Sequence, residues 1–235
     1  MNRPFDHPLN RPLNRNDMAR LLDHSVLKPE CVEADIRAGA DVVRGWPGGY
    51  YCVQPCWVPL AATLLAGTPV GVISVVGFPH GCDRPEVKAR AAAIAVGEGA
   101  VEIDMVMNVG LLRSGMSSEV AADIGAVVRA VPGTSVKVIL ETAALTDDEK
   151  RLACRLSVGA GAAFVKTSTG FHASGGATVE AIRLMREVVG TTVGVKASGG
   201  IRDLDDAMRM LEAGANRIGT SASAAILAGL AQQGR

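Results

Sequence analysis

One phrase recurs along this chain in a fixed phase. Gly99-Ala100-Val101-Glu102-Ile103-Asp104, Gly161-Ala162-Ala163-Phe164-Val165-Lys166 and Gly214-Ala215-Asn216-Arg217-Ile218-Gly219 each follow a helical pattern and open a short apolar strand. The leading glycine suits the left-handed position that ends a helix. The first two of these glycines lie 62 residues apart, two units of 31. A strand with its crossover helix occupies on the order of 30 residues. The repeat therefore implies strands and helices alternating around a parallel sheet.

Eight strands are expected, near residues 21–27, 49–54, 70–76, 101–105, 135–141, 163–167, 192–196 and 215–219. Helices fall between them. Thr146 and Glu149 form a capping-box signature before a helix over 150–157. The stretch 203–211 is amphipathic, acidic in its first turn, with Gly214 beyond its end. Eight units in 235 residues specify an α/β fold, a single (β/α)8 barrel over 20–235, better than an open doubly wound sheet. The first strand is not followed by GxGxxG, which weakens a dinucleotide-binding reading. Residues 1–19 are polar and rich in Pro, Asn and Arg, with no apolar leader stretch, and read as a flexible extension outside the barrel.

Two composition arguments narrow the class. Lys and Arg (24) balance Asp and Glu (24), which disfavours a protein that coats nucleic acid or an anionic membrane. The five cysteines are an odd number without a CxxC pair, as expected of reduced, cytoplasmic thiols. The stretch 60–78 is apolar enough to imitate a membrane span, but Pro47, Pro55, Pro59, Pro69 and Pro79 interrupt any such helix. It reads instead as a short helix followed by a buried parallel strand.

The repeat also locates chemistry. Five residues after each repeat glycine come Asp104, Lys166 and Gly219, so all three share one phase near the C-terminal ends of their strands. In a barrel that face carries the active site. Lys196 ends the seventh expected strand, 30 residues after Lys166. A lysine in an apolar strand, beside a second ammonium, is pushed toward the neutral amine. A neutral amine is a nucleophile that forms a Schiff base with a carbonyl, and a nearby carboxylate can move protons. One such lysine would more simply pair with an acid; two in phase with Asp104 favour covalent carbonyl chemistry, such as an aldol cleavage. Lys137, earlier in its strand, is expected to pair with Glu102 and serve structure alone.

Ser198-Gly199-Gly200 and Gly219-Thr220-Ser221 follow the seventh and eighth strands, the usual phosphate loops of such barrels. Gly199, Gly200, Gly219 and Ser221 are the candidate phosphate-binding residues. The four histidines show no ligand spacing, so neither a metal nor another cofactor is expected. His24 reads as a satisfied interior residue, and Cys52 as a packing residue near the mouth.

These residues resemble deoxyribose-phosphate aldolase over roughly residues 22–228. Phe164-Val165-Lys166-Thr167-Ser168-Thr169-Gly170-Phe171 is similar to that family's Schiff-base strand. Leu22-Asp23-His24-Ser25, Val76-Gly77-Phe78-Pro79, Glu102-Ile103-Asp104-Met105, Lys137-Val138-Ile139-Leu140-Glu141-Thr142, Val195-Lys196-Ala197-Ser198-Gly199-Gly200 and Arg217-Ile218-Gly219-Thr220-Ser221 extend the likeness. The resemblance implies a metal-free lyase that reversibly cleaves 2-deoxy-D-ribose 5-phosphate to acetaldehyde and D-glyceraldehyde 3-phosphate. By motif, Lys166 is the Schiff-base lysine, Lys196 keeps it neutral, and Asp104 belongs to the proton relay. The chain departs from the family at Gln54, Cys56-Trp57 and Ala143-Ala144, near the mouth. The residues alone leave open a related Schiff-base barrel, a non-covalent isomerase and a phosphosugar-binding barrel without turnover. The expected partner is a phosphorylated sugar, not nucleic acid or membrane; homo-oligomerisation stays open.

Overall fold

The computed structural model describes residues 13–233. Eight parallel strands, β1 (Leu22–Val26), β2 (Tyr50–Val53), β3 (Gly71–Val76), β4 (Glu102–Val106), β5 (Ser135–Ile139), β6 (Phe164–Lys166), β7 (Gly194–Ser198) and β8 (Arg217–Thr220), pair in sequence order. The last pairs with the first, through Leu22↔Ile218 and Asp23↔Gly219, so the sheet is a closed barrel. The helices are α1 (Arg15–Leu21), α2 (Glu33–Val43), α3 (Val58–Leu64), α4 (Pro85–Gly97), α5 (Val109–Arg113), α6 (Ser117–Ala130), α7 (Asp147–Gly159), α8 (Val179–Val189), α9 (Leu204–Glu212) and α10 (Ser223–Gln233). The Thr146 capping box forms as expected and opens α7, and Asp203 caps α9.

Side chains alternate across each strand. Outward residues such as Tyr51, Val53, Val72, Ile103, Met105, Val136, Val138, Val165, Val195 and Ile218 join one large core against the helices. Inward residues divide the lumen. On the β1–β3 side Leu27, Cys52, Ile73 and Val75 form a small apolar cluster, with Tyr50 and Phe78 packed on it. The rest of the lumen holds Asp23, Glu102, Asp104, Lys137, Lys166, Lys196 and Arg217, each at most 7% exposed. Strands buried on both faces read as continuous apolar runs, which is why β3 resembled part of a membrane span. That stretch is α3 and β3, and no described helix is long and apolar enough to cross a membrane.

The expected boundary at residue 19 needs correction. Residues 1–12 lie outside the described residues, but from Leu13 onward the chain is part of the fold. Asn14 caps α1, accepting from the Asp17 amide while the Asp17 carboxylate accepts from the Asn14 amide. Met18 and Ala19 are buried in the main core, and Leu13 beside them. The local polarity that suggested a loose segment belongs to the outer face of an amphipathic turn.

Candidate active site

Strand phase puts the ionisable groups in two layers. Glu102, Phe164 and Arg217 sit three residues after their repeat glycines and form the floor. Asp104 and Lys166 sit above them, two residues further on. Register then sets neighbours: Asp104 is the Cα partner of Lys137, Lys166 of Lys196, and Lys196 of Arg217.

Asp104 is the hub. It accepts hydrogen bonds from Lys137 Nζ at 2.9 Å through Oδ1, and from Lys166 Nζ at 2.8 Å and Lys196 Nζ at 2.7 Å through Oδ2. Lys196 Nζ also lies 2.5 Å from Asp23 Oδ2. Lys137 pairs with Glu102 at 2.5 Å, as expected, and it also bonds Asp104 directly, a contact beyond the expected pair. Register makes Lys137 the Cα partner of both Asp104 and the floor residue Phe164, so its side chain reaches the carboxylates of both layers. Arg217 pairs with Glu102 at 2.7 Å, and its Nε lies 3.4 Å from Asp23 Oδ1. The guanidinium rests 3.8 Å from the Tyr50 ring centroid, a favourable cation–π placement.

These fields separate the titrations. Burial alone would raise the Asp104 pKa, but Lys137, Lys166 and Lys196 outweigh it and hold the carboxyl well below its ordinary value. Lys196 goes the other way from most buried lysines, because Asp104 and Asp23 overcome desolvation and hold it protonated. For Lys166 desolvation dominates, and with Lys196 beside it the pKa falls despite Asp104. Two lysines side by side on adjacent strands are thereby driven apart, one toward acid and one toward amine. Burial pushes the Cys52 thiol up to about 11, so it is not a thiolate at neutral pH.

A cavity of about 630 Å³ opens over this cluster, lined by Lys166, Lys196, Asp23, Cys52 and the loops after β6, β7 and β8. Gly199, Gly200, Gly219 and Ser221 all line it. Gly199 and Gly200 have φ of +86° and +82°, backbone that L side chains rarely adopt. Gly219 differs from them: a Cβ there would meet Lys196 Cε at 2.9 Å, so it makes room for the lysine. The loop after β6 is clasped to the β7 loop, with the Ala177 amide donating to Gly199 O at 3.0 Å. A Cβ on Gly176 would lie 2.2 Å from that carbonyl oxygen.

Other groups support this arrangement. Glu141, at φ 58°, accepts from Thr169 Oγ1 at 2.5 Å and anchors the start of the β6 loop. His24 Nδ1 is 2.7 Å from Ser223 Oγ, a satisfied buried histidine as expected. Gln54, one of the departures from the family pattern, donates to Leu27 O at 2.9 Å and ties β2 to the end of β1. Asp23 and Arg217 were absent from the candidate residues. The signal for Arg217 was available: it precedes Gly219 by two, as Glu102 precedes Asp104.

Fold and site together define a class: a (β/α)8 barrel whose cavity opens on two buried lysines that share one carboxylate. Comparison with known proteins makes this specific. Residues 75–231 match the DeoC/LacD family aldolase profile. Deoxyribose-phosphate aldolase 1 of Bacillus licheniformis is 52% identical over 214 residues, covering 91% of this chain and 96% of the relative. The deoxyribose-phosphate aldolase of Enterococcus faecalis is 50% identical over 219 residues, 93% of this chain and 99% of the relative. Among solved structures, the tetrameric deoxyribose phosphate aldolase from Aeropyrum pernix superposes with a TM-score of 0.86 at 31% identity, covering 96% of this chain and 95% of that one. The chain belongs to the DeoC/LacD family of aldolases and is a lyase.

Proposed function

We propose that the protein cleaves 2-deoxy-D-ribose 5-phosphate reversibly to acetaldehyde and D-glyceraldehyde 3-phosphate through a Schiff base on Lys166. The observation that carries this reading is the split between Lys166 and Lys196 around one carboxylate. Neutral Lys166 attacks the C1 aldehyde, and loss of water leaves an iminium. The iminium draws the C2–C3 bonding electrons into an enamine as the C3 hydroxyl gives up its proton and becomes the aldehyde of the leaving triose. Protonation at C2 and hydrolysis release acetaldehyde and regenerate the amine. Asp104, held ionised, serves the proton relay, and Lys196 keeps the positive charge that Lys166 gives up. Gly199, Gly200 and Ser221 cradle the 5-phosphate, with Gly219 at the edge of the same loops.

The five cysteines are free, which suits a reducing cytoplasm, and the reading includes a homo-oligomer, as in the Aeropyrum pernix relative. Borohydride reduction in the presence of 2-deoxyribose 5-phosphate, followed by peptide mass spectrometry, is the test. A substrate-derived mass on Lys166, absent from Lys166→Ala along with all turnover, is expected. Full turnover by that variant would refute the covalent route.

A further inference from the structure

The charged lumen closes on itself. Asp104 bonds Lys196, Lys196 lies against Asp23, Asp23 faces Arg217, Arg217 holds Glu102, Glu102 holds Lys137, and Lys137 returns to Asp104. Signs alternate around this ring, with three carboxylates and three cations. The ring is neutral without Lys166, which hangs on Asp104 as an extra amine. A protonated Lys166 would add an uncompensated charge to a site it shares with groups at most 7% exposed. We infer that Arg217 and Glu102, on the barrel floor, are positioning residues that set the protonation of Lys166 by fixing the charge balance of this ring.

The ionisable groups around Lys166 come from every strand that reaches it. They are Asp23 on β1, Tyr50 and Cys52 on β2, Glu102 and Asp104 on β4, Lys137 on β5, Lys196 on β7 and Arg217 on β8, with Tyr50 set against Glu102 and Arg217. His24 lines the same cavity and is held neutral by burial. Of these, Arg217 and Glu102 are remote from the reacting atoms. Removing the Arg217 charge leaves two carboxylates short of a cation, so Lys166 takes up a proton more readily. Removing the Glu102 charge does the reverse. In a medium this dry each change is expected to move the amine fraction about tenfold.

The inference rests on the proposed role of Lys166, but its test does not need turnover. Reductive methylation with formaldehyde and cyanoborohydride, read by mass spectrometry of the Lys166 peptide across pH, reports the neutral amine directly. In Arg217→Gln the acid limb of that profile should move to higher pH, with methylation at a pH on the limb about tenfold slower. In Glu102→Gln it should move to lower pH. The double variant, neutral again, should fall back near the wild type. Arg217→Lys keeps the charge and should leave the limb in place. Limbs that do not move, that move in the same direction in both single variants, or that shift as far in Arg217→Lys as in Arg217→Gln would overturn the inference. If Arg217→Gln does not fold, Glu102→Gln and the double variant still decide: a limb below wild type in one and near it in the other is required. A normal methylation shift with no substrate adduct in the wild type would sink the proposed function and leave the ring standing.

Discussion

Three lysine Nζ atoms close on Asp104, which is entirely withdrawn from solvent. Asp104→Asn keeps the shape and deletes the charge. Turnover is expected to fall about 10²–10⁴-fold, the range for losing a positioned proton-transfer group. Stability should fall by about 3–5 kcal/mol, because buried cations lose their common partner. Steady-state rates and urea unfolding measure the two losses separately. His24 gives a pH prediction. Burial lowers its pKa from 6.5 to about 4, so between those values the unfolded chain binds a proton that the native state refuses. Its stabilising effect is thus complete above pH 6.5 and is lost as pH falls toward 4, on the order of 3 kcal/mol in all. Urea midpoints at neutral and mildly acidic pH should diverge for the wild type and converge for His24→Gln; parallel losses in both would count against His24. The sequence made Asp104, Lys166 and Lys196 legible because they share a phase. Asp23 escaped because β1 lacks the glycine-led phrase that marks phase elsewhere.

At the scale of elements, the strands were readable and their ends were not. The seventh was expected over 192–196 and runs from Gly194 to Ser198, because pairing starts where Phe164 and Gly194 meet, and a lateral partner is invisible in a linear pattern. The loops hold what no local rule predicts. Glu141 adopts a left-handed backbone without being a glycine, secured by bonds from a residue 28 positions away. Gly176 shows the same dependence on a distant neighbour. Gly176→Ala would drive a methyl into the Gly199 carbonyl and push apart the loops proposed to hold phosphate. KM for 2-deoxyribose 5-phosphate is expected to rise about tenfold or more, while any rate measured with unphosphorylated 2-deoxyribose stays within about twofold of wild type, a contrast of one lost contact. Equal losses on both substrates would place Gly176 outside phosphate binding.

For the whole molecule, the repeat revealed the barrel and hid how its entrance segment is used. Met18 on α1 is fully buried, so the segment before β1 is part of the core. Met18→Ala should cost about 2–5 kcal/mol by leaving a cavity. A thermal or urea midpoint indistinguishable from wild type would return α1 to the status of an appendage.

The ring of alternating charges also bears on how the chain finds its final shape. Its members come from β1, β4, β5, β7 and β8, so it can be completed only when the first strand meets the last. At that seam Lys196 and Arg217 are lateral neighbours, two cations side by side, and Asp23 arriving from β1 reconciles them. A slip of one residue in β1 would turn Asp23 outward among the helices and leave the cations confronting each other in a dry interior. The charges that prepare an amine for chemistry therefore also proofread the closure of the barrel, and a chain joined out of step is penalised at the place where it would otherwise react.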